Sequence, residues 1–429
     1  MHAAFTRWLL SSLLTVSSGG FYCLAGVTIW HMTSQSAVAQ SSLDLSSTST
    51  DYFKQSPLIL DNENPEEPYT ISTRSKNNQQ LAEAEQLNQQ AITLREQGKY
   101  IEAIPLVQRS LAIRESVLGP NHLGVGISLN NLATLYKEIG NYTEALPRYQ
   151  RALIILETAL GPNHPDFATS LGSLAELYQL QGNYTEALAS YQRALAIREA
   201  VLGAGHPSVA SSLNNIGTLH EAQGNYAEAF PYHQRALEIR EAALGANHPY
   251  VAISLHNIAA LYQAHGNYAE ALAQYQRGLA ISETALGPDH PYVANSLNSI
   301  GGIYKAQGNY AEALTQYQQA LAIRESTLGP DHPDVAQSIN NIALVYEAQG
   351  NYAEALTRLQ RSLKIREATL EPNHPYIANN LHDIAFVYEA QGKYAEALSR
   401  YHRALEMLEA TLGPNHPDIA VRLNKLAVI

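Results

Sequence analysis

Only one cysteine, Cys23, occurs in the 429 residues, and it sits in an apolar stretch near the N-terminus. The rest of the chain therefore has no disulfide framework, no thiolate nucleophile and no cysteine-based zinc site. Cations are few as well: 27 Lys and Arg stand against 39 Asp and Glu, for a formal charge of −12. Nucleic acid and anionic membrane surfaces both call for clustered Lys and Arg, so neither is expected as the main partner. The sequence contains no phosphate-binding loop, no nucleophile elbow and no isolated carboxylate pair. No catalytic residue, metal site or cofactor is assigned, and an enzyme is not expected.

The first residues read as an address. Arg7 precedes an apolar run from Trp8 through Trp30, and Ala37-Val38-Ala39 offers the small-x-small pattern of a signal peptidase site. Residues 1–39 are therefore either a cleaved signal peptide or a retained membrane anchor, and both place the remainder outside the cytoplasm. Residues 40–78 are rich in Ser, Thr, Asn and Asp, with Pro57, Pro65 and Pro68 among them. So polar a segment cannot bury enough apolar surface to offset chain entropy, and a disordered linker is expected there.

Residues 79–429 are a different kind of sequence: eight copies of one 42-residue unit, followed by part of a ninth. Glycine recurs at 98, 140, 182, 224, 266, 308, 350 and 392 without insertion or deletion. Around it stands Gly-Asn-Tyr-x-Glu-Ala, as at Gly182 to Ala187, and each unit closes on a phrase such as Leu160-Gly-Pro-Asn-His-Pro165. A strict period of this length means a solenoid, in which each unit buries its apolar face only by stacking on its neighbours.

One unit shows the plan. Leu129, Leu132, Ala133 and Tyr136 follow helical spacing and mark the buried stripe of a first helix. Gly140 ends it, where a left-handed residue is needed. A second helix begins near Thr143 and carries Ala145, Leu146, Tyr149, Ala152, Leu153 and Ile155 on its core face. Gly161-Pro162-Asn163-His164 breaks that helix, and Pro165 suits the first turn of the next.

These positions resemble the tetratricopeptide repeat, whose usual unit is shorter, at about 34 residues. The longer period, with Leu-Asn-Asn-Leu-Ala and Leu-Gly-Pro-Asn-His-Pro, makes the unit similar to the kinesin-light-chain type, from Ala84 to Ile429. The resemblance implies an all-α, right-handed superhelical solenoid of helix-turn-helix repeats, with the first helices lining a concave groove that holds peptides. The expected function is a non-enzymatic scaffold for a partner protein or an extended peptide. The alternative is the recognition arm of a signalling or peptidase system, with a CHAT-type effector or nucleotide-switch partner, whose catalytic domain lies elsewhere.

Candidate groove residues are the asparagines embedded in the apolar pattern of the first helices: Asn130, Asn131, Asn214, Asn215, Asn257, Asn298, Asn340 and Asn341. Each amide offers a donor and an acceptor, so a ladder of them suits the backbone of an extended peptide. The same amides could instead bridge neighbouring helices. Gly172-Ser173 and His382-Asp383 depart from the pattern, and selectivity is expected from variable neighbours such as Lys137, Glu176, Glu221, Lys305 and Glu389.

Two other periodic rows read as structure. One histidine per repeat, from His122 to His416, cannot converge on a metal, because zinc needs ligand atoms about 2 Å away while stacked repeats stand about 10 Å apart. A loop role is expected, capping the next helix or packing on its proline. Arg151, Arg193, Arg235, Arg277, Arg361 and Arg403 recur beside abundant Glu and read as a solvated, ion-paired face.

Overall fold

The computed structural model describes residues 71–426, so both readings of residues 1–39 lie outside the described residues. The described residues form helices and no strand. In chain order they are α1 (Ile71–Glu96), α2 (Tyr100–Leu118), α3 (Leu123–Glu138), α4 (Tyr142–Leu160), α5 (Pro165–Leu180) and α6 (Tyr184–Leu202). There follow α7 (Pro207–Ala222), α8 (Tyr226–Leu244), α9 (Pro249–Ala264), α10 (Tyr268–Leu286), α11 (Pro291–Ala306) and α12 (Tyr310–Leu328). The last are α13 (Pro333–Ala348), α14 (Tyr352–Thr369), α15 (Pro375–Ala390), α16 (Tyr394–Leu412) and α17 (Pro417–Leu426). Odd-numbered helices are the first of each repeat and even-numbered helices the second. Helix α1 begins at Ile71, within the residues read from composition as a linker. Residues 74–80 are polar and mostly exposed, and they extend a helix nucleated downstream, where Leu81 and Ala84 enter the core.

Both junctions of the repeat are set by local chemistry. Within a repeat, the first helix ends on a left-handed glycine. The Asn141 N–H reaches the Tyr136 carbonyl at 2.8 Å and the Gly140 N–H that of Lys137 at 3.0 Å, a Schellman closure repeated down the chain. Between repeats, a histidine caps the next helix: Nδ1 of His164 accepts from the Asp166 N–H at 3.1 Å, and His122, His206, His248, His290, His332, His374 and His416 do likewise. The loop role expected for this row is thus a helix cap.

Close packing rests on the alanine of the Glu-Ala phrase. Ala103, Ala145, Ala187, Ala229, Ala271, Ala313, Ala355 and Ala397 are all fully buried, which lets the two helices of each hairpin approach. Neighbouring repeats are tied by a buried arginine on the second helix. Arg240 reaches Ser254 Oγ at 2.9 Å and the Tyr250 carbonyl at 3.1 Å on α9, and Ser211 Oγ at 3.3 Å on α7. Arg114, Arg198 and Arg324 make the same three-helix tie. The outer arginines pair across repeats as expected, Arg151 with Glu115 at 2.7 Å and Arg277 with Glu241 at 2.6 Å.

Adjacent odd-numbered helices touch one another, whereas even-numbered helices of neighbouring repeats stand further apart. The array therefore curves with the odd helices inside, and it curves far enough to meet itself. Gly98, Gly140 and Gly182 lie against His332, His374 and His416, each glycine against the histidine the same number of positions further on. A Cβ placed at Gly140 would stand 2.7 Å from His374 Cδ2, and one at Gly182 2.9 Å from His416 Cδ2. One coil of the superhelix thus takes about 5.6 repeats, and successive coils are in contact. Tyr100 packs into the core cluster of Leu370, Ile377 and Ala378, and Leu412 into that of Tyr142 and Tyr149.

The middle contact is specialised. Ile139 replaces the polar residue at this position of the other repeats, and Glu371 replaces glycine. These two departures meet: the Glu371 N–H donates to the Ile139 carbonyl at 3.2 Å. Without the C-terminal glycine, α14 ends a residue early and buries Leu370. The His374 ring is sandwiched there, and burial, with Arg366 nearby, pushes its pKa down to about 3 while the Glu138 backbone carbonyl opposes the shift.

Two outcomes follow from this closure. Gly140→Ala and Gly266→Ala both force an L residue into the left-handed region, at φ +84 and +75, costing about 1–2 kcal/mol each. Only the first also meets a histidine. Gly140→Ala should lower the urea midpoint further than Gly266→Ala and enlarge the radius of gyration by X-ray scattering; equal effects would contradict the contact. Secondly, a histidine whose folded pKa lies below its unfolded value of about 6.5 contributes stability present above 6.5 and lost as pH falls toward 3. The loss is at most about 1.4 kcal/mol per pH unit for this one group. His374→Asn keeps an acceptor for the cap and should flatten the fall in urea midpoint between pH 6.5 and 4, an unchanged slope counting against the burial of His374.

Candidate inner-face binding site

The inner wall is made by the odd helices, and every candidate asparagine sits on it. They fall into two adjacent registers of the repeat, Asn130, Asn214, Asn298 and Asn340 in one, and Asn131, Asn215, Asn257 and Asn341 in the other. Because neighbouring repeats stack in register, a residue of the first row faces the second-row residue of the next repeat. Asn131 Nδ2 donates to Asn88 Oδ1 at 3.4 Å, and Asn340 Nδ2 to Asp383 Oδ2 at 3.0 Å. Asn214 and Asn257 meet through His233, whose Nδ1 is 3.1 Å from Asn214 Oδ1 and 3.4 Å from Asn257 Nδ2, while its Nε2 lies 2.9 Å from Glu221 Oε1.

The expectation of one open amide ladder is corrected by this geometry. Asn130, Asn131, Asn214, Asn257 and Asn340 are at most 3% exposed. Asn131 and Asn340 bridge consecutive odd helices directly, to Asn88 and Asp383, whereas Asn214 and Asn257 meet through His233 of α8, and Asn130 Oδ1 is buried without a partner among the described residues. Asn298 is half-buried beside Arg324 and, with its amide oxygen toward the guanidinium, accepts from Nη1 and Nη2 at 2.8 and 3.1 Å. Asn215 and Asn341 differ. Both are half-buried on the inner wall, and among the described residues no hydrogen bond engages either amide.

The selectivity positions are also partly committed. Lys137 on α3 donates to Glu176 on α5 at 2.7 Å, both nearly fully buried. Burial raises the pKa of the Glu176 carboxyl and the Lys137 ammonium opposes the rise. Glu389 accepts from Tyr401 at 2.9 Å and from Lys425 at 2.8 Å, and Tyr275 donates to Gln263 at 3.3 Å. Burial lowers the pKa of Lys305, and Glu347 and Asp383 nearby oppose the shift. The wall therefore carries many internally paired polar groups. Among the described residues, Asn130 Oδ1, Asn131 Oδ1, Asn214 Nδ2 and Asn340 Oδ1 are buried without a partner, and the unengaged amides that solvent reaches are Asn215 and Asn341. The buried arginine tie was not read from the sequence, although its signal was there. Ile-Arg-Glu recurs at 113–115, 197–199, 239–241, 323–325 and 365–367, and a serine follows each of the first four arginines at the same spacing.

A family profile described as Tetratricopeptide repeat matches the chain at residues 83–158, 132–200, 166–242, 208–284, 266–326, 292–368, 334–409 and 376–429. No curated protein matches it. Among solved structures, the nearly identical repeats of a kinesin light chain from Podosopora anserina are 29% identical, covering 48% of this chain and 98% of that one, with a TM-score of 0.39. BtubC of P. vanneervenii is 22% identical over 54% of this chain and 91% of its own, at a TM-score of 0.41. A tetratricopeptide repeat protein of Parabacteroides merdae is 19% identical over 71% and 99%, at 0.44.

Buried and unengaged amides should part company under substitution. Asn214→Ala removes a partner of His233 and should lower stability by about 1–3 kcal/mol, read from urea unfolding. Asn215→Ala, one residue away, should stay within about 0.5 kcal/mol of wild type. Equal losses would show that both amides serve the packing.

Proposed function

This chain belongs to the tetratricopeptide repeat family, whose members are generally non-catalytic scaffolds for protein–protein interaction, and we propose that it holds a partner protein or an extended peptide along its inner face. The observation that carries this reading is the contrast along one wall. Most amides there are buried out of reach of a ligand, while Asn215 and Asn341 lie three repeats apart, half-exposed, with donor and acceptor unengaged. Two such groups in one register can take hydrogen bonds from a peptide backbone without regard to its side chains. Asn257 and Asn298 lie between them and complete the path, although both already serve neighbouring groups. Glu221 and Glu389 on the same wall are already engaged, by His233 and by Tyr401 and Lys425, so the partner segment is recognised through its backbone rather than its charge. The apolar run from Trp8 to Trp30 and the Ala37-Val38-Ala39 site support placing the array outside the cytoplasm, which makes other exported proteins the natural source of that segment.

A displayed library of random peptides, selected on the immobilised chain, tests the reading. Peptides recovered by wild type should bind about tenfold or more weakly to the Asn215→Ala, Asn341→Ala double variant by fluorescence anisotropy, each lost hydrogen bond contributing about 0.5–1.5 kcal/mol. Helicity by circular dichroism should be unchanged. Equal binding to both proteins would move the site off the inner face.

A further inference from the structure

The contact between coils uses only part of the surface that could make it. The turns within repeats and the loops between repeats lie at opposite ends of the helical hairpins, so they form the two rims of the superhelix. Turns at Gly98, Gly140 and Gly182 are covered by the loops at His332, His374 and His416. The turns at Gly224, Gly266, Gly308, Gly350 and Gly392 have the same left-handed glycine, and a Cβ at any of them would meet nothing within 4 Å. On the other rim, the loops at His164, His206, His248 and His290 have the same capping histidine with no glycine turn against it, and all four histidines are less buried than His332 and His374.

We propose that these uncovered rims bind a second copy of the chain, the turns of one copy seating on the loops of the next in the manner of the contact between coils. The chemistry of the two sides is already matched within one molecule. Tyr142 is buried and Tyr376 half-buried near it where Gly140 meets His374. On the uncovered turns Tyr394, 58% exposed, takes the place of Tyr142. On the uncovered loops His248-Pro249-Tyr250 and His290-Pro291-Tyr292 repeat the sequence of His374-Pro375-Tyr376. Since both rims keep the spacing of the repeat, several turn–loop pairs come into register together, so weak single contacts add up to a stable one. The two surfaces are different, which makes the association head-to-tail and open-ended.

Sedimentation velocity of the purified full chain at rising concentration tests this. Wild type should show a mass that climbs with concentration. Tyr394→Glu on the turn rim, and Tyr250→Glu with Tyr292→Glu on the loop rim, should each hold the mass at one chain, with circular dichroism unchanged. None of these residues takes part in the contact between coils. Mixing the two variants should restore one good interface and give a complex of two chains that grows no further. A wild-type mass fixed at one chain would overturn the proposal and leave the rims to a partner of another sequence. Association that survives Tyr394→Glu, or a mixture that behaves as its separate components do, would overturn it as well.

Discussion

Unbroken repeat spacing is the constraint on which the rest of this molecule depends. A repeat cannot bury its own apolar face, so each hairpin is stable only against the next. Identical spacing makes each step along the array nearly the same rotation. With a fully buried alanine drawing each pair of helices together and the odd helices crowded inside, that rotation closes into a coil. Contacts between coils then form three times over, because the period carries each glycine turn to the same place opposite a histidine loop. An insertion in any loop between Gly182 and His332 would dephase all three.

The same crowding explains the polar interior. Consecutive odd helices come near enough for Asn131 to reach Asn88 and Asn340 to reach Asp383, although Asn131 Oδ1, Asn214 Nδ2 and Asn340 Oδ1 stay buried without a partner among the described residues, and a buried arginine donates to serine hydroxyls and carbonyls behind them. Polar groups placed inside a packed array must be paired or they cost stability. The departures from the repeat are informative against this background. Ile139 and Glu371 break the pattern at the two sides of one contact, and His233 occupies a tyrosine position and gathers Asn214, Asn257 and Glu221 around it.

Most of the local structure was legible in the sequence. The stripe of Leu129, Leu132, Ala133 and Tyr136, the left-handed Gly140, the histidine loops and the ion-paired outer arginines all follow from chemistry within one or two repeats. What was not legible depends on how far the array curves. Whether Asn214 faces a groove or a neighbouring helix is decided by a small rotation per repeat, and that angle accumulates from packing that no single unit reveals. For the same reason the closure of Gly140 on His374 leaves no periodic trace, and only Ile139 and Glu371 mark it, as exceptions. The start of α1 at Ile71 was hidden by composition, since its first turns carry no apolar stripe.

The closure of the coil is most directly tested by a distance across it. Spin labels on Asn141 and Asn373, each introduced as cysteine in a chain with Cys23 changed to serine, would be read by double electron–electron resonance. Coils in contact should give a narrow distribution at the short end of the measurable range, and Ile139→Asp should broaden and lengthen it. A long or broad distribution in the otherwise unaltered chain would mean an open array, and the account of its interior built on that curvature would fail.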